Sequence, residues 1–149
     1  MSLSRLVKPL LCCVAALALA VANGACGSEN IKVTQSASSQ RGAVLFSQRC
    51  AGCHTLSVAA AHGSAANVRT AQYNNGPNFD IRCERPVQRV LYAIANGGFS
   101  GAIMPQNIVV GQDADEVAKF VATYAGSKAP HIPGSVICQN KPIGDVSAP

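Results

Sequence analysis

Residues 50–54 read CAGCH. Two thiols are separated by two small residues, and an imidazole follows at once. Thiolates and imidazoles bind soft and borderline metals, and thiols are also nucleophiles, so the cluster admits a few distinct chemistries. A dithiol redox site has the same cysteine spacing but belongs to a βαβ context, and the chain shows no strand pattern. A structural zinc site needs four ligands at suitable spacing. His54 abuts Cys53 too closely to close a tetrahedron easily with both cysteines, and no second Cys/His cluster follows. A disulfide across two intervening residues would be strained. The remaining chemistry is covalent attachment of a c-type haem, the standard meaning of this pentapeptide. Thiols one helical turn apart can each add to a vinyl group on adjacent pyrrole rings. The next imidazole then projects beneath the iron.

Such a cluster has to be held by the elements around it. Residues 39–51 predict a helix of about three turns with Ser38 or Ser39 as N-cap, running straight into the cluster. Ala43, Phe46 and Cys50 share one of its faces. Residues 55–79, rich in Gly, Ala and Asn and ending NNGPNF, read mostly as loop. Pro86 suits the first position of a second helix. Val87, Val90, Leu91 and Ile94 give that helix an apolar stripe, and Asn96-Gly97-Gly98 stops it. After the aperiodic FSGAIMPQNIVVG, Asp113 is expected to cap a third helix, with Glu116 completing a capping box. Val117, Phe120, Val121 and Tyr124 form its buried face, and Gly126 ends it. The class is therefore all-α: about three main helices plus loops wrapped around one haem.

Composition agrees with a core that needs a filler. The 149 residues include no Trp, four Phe and three Tyr, a thin supply of large side chains. Small domains of this kind often lean on a staple or cofactor. The formal charge of +5 falls to +3 from Cys26 onward, where ten Lys/Arg face seven Asp/Glu. These positive charges are scattered, which argues against a nucleic-acid partner.

Residues 1–25 have the layout of an export signal: Arg5 and Lys8, then an apolar run at 10–22, then small residues. The run is short for a membrane span. Cleavage is expected after Ala22, or else before Cys26, where Gly24-Ala25-Cys26 resembles a bacterial lipoprotein signal whose cysteine is lipidated. Lipidation of Cys26 would leave Cys83 and Cys138 to pair in an oxidising compartment. Residues 26–38 read as a flexible tether and 127–149, with four prolines, as an irregular C-terminal extension. The expected location is the periplasm or the outer face of the cell membrane, with or without a lipid anchor.

Taken together, the haem motif and the helices around it resemble the small monohaem class I cytochromes c over about residues 39–126. In that family a glycine and an aromatic on the first helix meet the last helix. Gly42 and Phe46 match them, with Val121 and Tyr124 answering. Gly76-Pro77 matches the loop whose proline carbonyl accepts the ligand histidine's Nδ1–H, which would turn Nε2 of His54 toward iron. The resemblance implies one haem c on Cys50 and Cys53, with His54 and Met104 as axial ligands. His62 and His131 are the rivals to Met104; the first is too near the motif and the second lies in the tail. Ligation by His and Met raises the potential and fills both axial positions. This implies electron transfer rather than catalysis at iron, by an exported and monomeric carrier between a membrane-associated donor and acceptor. Alternatives are a cytochrome subunit bound permanently to a dehydrogenase or oxidase, and a haem peroxidase or gas sensor.

Overall fold

A computed structural model describes residues 30–33, 36–64, 76–99 and 104–146. Residues 1–25, Cys26 and parts of the expected tether lie outside the described residues. The chain joins the domain at Ile31–Val33: Val33 is buried, and the Lys32 N–H donates to the Val58 carbonyl at 2.8 Å. The stretch expected to be a flexible tether is thus docked at that point.

Helix α1 spans Ala37–Arg49. It starts two residues before the expected Ser39, because Ser36 is the N-cap, accepting the Ser39 N–H on Oγ at 3.4 Å. Gly42, Ala43 and Phe46 form its buried face. A two-residue hairpin follows, β1 (Thr55–Leu56) against β2 (Ala61–His62), paired Thr55 to His62 and Leu56 to Ala61. A single 3₁₀ turn, Ser57–Ala59, joins them, and Ala60 closes it in the left-handed region. The hairpin is a small correction to the expectation of no strands, since two-residue strands are too short to show a period.

Helix α2 spans Val87–Asn96 and buries Val87, Val90 and Ile94, with Leu91 packed at the margin. Pro86 is its N-cap rather than its first residue, and Gly97, at φ 75°, is the left-handed stop. Helix α3 spans Gly111–Tyr124, three positions longer at its start than a helix beginning at Ala114. Val110, not Asp113, is the N-cap. Asp113 lies in the first turn, where its carboxylate takes a 2.6 Å ion pair from Arg41 of α1. Arg41 also pairs with the buried Glu116 at 2.6 Å, so the expected capping partner serves the helix crossing instead.

The core is built on α3, which packs against both α1 and α2. At the α1–α3 crossing the helices approach too closely for a side chain at Gly42. A Cβ there would lie 2.5 Å from the Glu116 carbonyl oxygen and 2.7 Å from the Phe120 Cβ. Phe46 meets Phe120 with ring centroids 5.9 Å apart, and Tyr124 touches Phe120 at 5.1 Å. The residues answering Gly42 and Phe46 are thus Glu116 and Phe120; Val121 is buried in the same core and Tyr124 stands behind Phe120. Residues 127–146 are irregular apart from one 3₁₀ turn, Cys138–Asn140. No described helix is long and apolar enough to cross a membrane.

Candidate functional site

The CAGCH turn is the continuation of α1. The N–H groups of Cys50 and Ala51 both donate to the Phe46 carbonyl, at 2.8 and 3.2 Å. The Cys50 carbonyl accepts from Cys53 and His54, at 3.1 and 2.9 Å. Helical winding therefore carries through the motif and sets both thiols one turn apart, as double attachment requires. Cys50 and Cys53 are free thiols, the first half-buried and the second exposed. Burial, with the neighbouring Cys53, pushes the Cys50 thiol up to about 12. The surroundings thus disfavour a thiolate and suit a neutral sulfur, such as a thioether.

His54 is fixed from three directions. Its Nδ1 lies 3.2 Å from the Pro77 carbonyl. A carbonyl only accepts, so Nδ1 carries the proton and Nε2 keeps the free lone pair. Phe79 stacks on the imidazole at 4.6 Å with planes 9° apart, and Phe46 stands 6.4 Å away. Burial lowers the His54 pKa, partly opposed by the Pro77 hydrogen bond and the Glu84 charge, while Arg82 lowers it further. The ring is therefore held neutral, the form that ligates metal.

The loop carrying Pro77 reaches the motif because Gly76 has no side chain. A Cβ there would sit 2.3 Å from the Cys53 carbonyl oxygen and 3.0 Å from His54 Nδ1. Thr55 accepts the Phe79 N–H at 2.8 Å, locking Pro77 and Phe79 beside β1. Sequence reasoning singled out Pro77 but missed Phe79. Its place two residues beyond the proline, on the strand-like bridge from Asn78 to Thr55, is the signal that could have found it.

Met104 is half-buried and packs against the core. Its loop is tied to α2 by the Asn107 N–H, which donates to the Ile94 carbonyl at 2.8 Å. His62 is exposed on β2 and His131 is exposed in the tail. Cys83 and Cys138 form a disulfide, with Sγ atoms 2.06 Å apart. Cys26 lies outside the described residues. No group of three or more His, Cys, Asp or Glu side chains converges among the described residues to hold a metal ion, so a zinc cluster has no support there. The donor set that is present fits a haem: two free thiols on one helical turn, an oriented neutral imidazole and a thioether on a separate loop.

No curated protein matches the chain. The cytochrome c family model matches residues 39–125, which include both thiols, His54, the Pro77 acceptor and Met104. That match covers more than half of the sequence, and the chain belongs to the cytochrome c family, whose members bind haem c covalently and transfer electrons.

Proposed function

We propose that the protein is an exported monohaem electron carrier. Cys50 and Cys53 would attach one haem c, and His54 and Met104 would hold its iron. When bound, the haem supplies an iron that gains and loses one electron. The chain's own residues keep that change small in structural terms. Pro77 holds the proton on Nδ1 of His54, so Nε2 faces away from the carbonyl with its lone pair free. Phe79 stacks against the ring and prevents it from turning. The thioether of Met104 offers a soft donor from a loop pinned to α2, and soft donors favour the reduced metal and raise its potential. With both an imidazole and a thioether given to the group, no position would be left for substrate, which supports electron transfer over catalysis. Neither the thioether sulfurs nor the imidazole would need to gain or lose a proton in the process.

The observation that carries this reading is the oriented His54 on the same turn as two free thiols. The test is the absorption spectrum of the purified protein in both oxidation states, together with its intact mass. Sharp reduced-state bands, a weak far-red band in the oxidised protein and one added porphyrin are expected. Met104→Ala should abolish the far-red band and admit carbon monoxide to the reduced protein. Retention of that band in the variant would remove Met104 from the ligand set.

A further inference from the structure

Residues 127–146 lie beyond the family match, yet they are firmly pinned at two points. At the first, Lys128 Nζ pairs with Asp80 at 2.8 Å, and its N–H donates to the Asp80 carbonyl at 2.7 Å. At the second, Cys138 is bonded to Cys83, and Arg85 donates to the carbonyls of Cys138, Gln139 and Lys141 at 3.0, 3.1 and 3.0 Å. Between the pins, residues 130–137 (PHIPGSVI) are all exposed. A tight turn closes the tip: the Ser135 N–H and hydroxyl both donate to the Ile132 carbonyl, at 3.1 and 2.8 Å. Ile132 and Val136 stand on its two arms, 61% and 65% exposed, and Ile137 follows at 42%. Branched aliphatic side chains gain free energy by leaving water. Here the fold holds them in it on a projecting, anchored loop, the arrangement of a contact surface.

The chemistry of the loop selects its partner. Residues 130–137 contain no Asp, Glu, Lys or Arg and no Phe, Tyr or Trp, and His131 is their one titratable side chain. Protein interfaces concentrate their energy in Trp, Tyr and Arg, which this loop lacks. Lys141 lies exposed just beyond it, while Lys128 at its other end is held by Asp80, and no acidic residue occurs in sequence from 117 to 144. An aliphatic tip with a lysine near its base matches a bilayer, where the tip enters the acyl boundary and the ammonium group stays among anionic headgroups. The chain's N-terminal side converges on the same place. Lys32 bonds Val58, and the adjacent Ser57 accepts from Lys128 Nζ at 2.9 Å. Four residues lie between Cys26 and Ile31, a reach of at most roughly 18 Å over the five steps. An anchor at Cys26 would therefore bring the base of this loop close to the membrane.

We propose that residues 130–137 are a membrane-contact loop, with Ile132, Val136 and Ile137 inserting into a bilayer containing anionic phospholipid and Lys141 at its surface. The loop would orient the domain on the membrane. This rests on the reading that the chain is exported to a membrane face, and it is independent of the axial ligands. The test uses full-length haem-loaded protein carrying Cys26→Ser, which removes any lipid anchor, and vesicles of phosphatidylglycerol and phosphatidylcholine. The protein should co-sediment with the vesicles. Ile132→Asp with Val136→Asp should lower the partition coefficient by about tenfold or more. Val110→Asp, at the 64% exposed N-cap of α3, should leave it unchanged. The chain has no tryptophan, so Val136→Trp supplies a single reporter whose emission should shift to the blue on vesicles and be quenched by brominated lipid. Failure to bind, equal binding by the double variant, or an unshifted tryptophan would overturn the proposal. So would a lipid-free dimer that the double variant abolishes, which would assign the loop to a second copy. The haem bands, read in the same samples, report separately on the reading of the site.

Discussion

Asp80 is a carboxylate that burial alone would push toward its protonated form. Hydrogen bonds from Lys128, from the Ser57 hydroxyl and from the Ser57 N–H oppose burial and together hold it below the ordinary carboxylate range. A depressed folded value means that the stabilisation is present above the ordinary carboxylate pKa and is lost as pH falls through the folded one. Asp80→Asn should therefore cost about 1–3 kcal/mol at neutral pH, the scale of hydrogen bonds to charged groups. The gap to the parent should close in acid. Urea midpoints for both proteins, taken from neutral pH down to about pH 2, check this; a gap that is constant with pH would refute it. None of this cluster could be read from the chain, because its members lie 23 and 71 positions apart and carry no spacing rule. His54 was legible for the opposite reason: its attachment chemistry is written within five consecutive residues. The Phe79 stack falls between these cases, close in sequence to Pro77 yet recognisable only once the loop is seen to fold back onto β1.

The helices were legible where a side-chain period meets a stop signal. The stripe of α2 and its glycine stop both appear as the period requires, and so does the apolar face of α3. Helix starts were not, since Ser36 and Ser39 are equally good caps and Asp113 is a better one than Val110. Tertiary pairing decided the matter: Arg41 claims both Asp113 and Glu116 and leaves neither to cap the backbone. The least legible element contact is the clasp at the end of α3. The last carbonyls of a helix lack partners within it. Arg85 supplies them, donating from Nε to Ala122 at 2.6 Å and from Nη2 to Thr123 at 2.9 Å while its other nitrogen binds the tail. Its flat fork serves two segments at once, which an ammonium group cannot copy. Arg85→Ala should lower stability by about 3 kcal/mol, and Arg85→Lys should recover less than half of that. Guanidinium denaturation midpoints decide. Full recovery by lysine would show that charge, not the fork, holds the helix end.

At the scale of the whole molecule, the question is whether the side chains alone can hold the domain together. Among the described residues the largest fully buried ones are Phe46, Phe120, Leu56, Val87, Val117 and Val121: two rings and four aliphatics, with no tryptophan in the chain to add to them. Helices α1 and α2 are joined mainly through α3 rather than through each other. The disulfide closes a 55-residue separation and contributes up to about 4 kcal/mol in the chain-entropy view, but it ties the tail to the segment before α2 and leaves α1 untouched. A ligand that binds only the folded state adds its binding free energy to the stability of that state, and covalent attachment beside His54 would place a large apolar group next to α1. Protein made without haem, for example with Cys50→Ala and Cys53→Ala under conditions where attachment is blocked, should therefore lose most of its helical circular dichroism while keeping the Cys83–Cys138 bond. A haem-free protein with native-like ellipticity and a cooperative thermal transition would show instead that the α1–α3 crossing at Gly42 and Phe120 suffices by itself. The haem would then be a passenger on a fold that its own side chains complete.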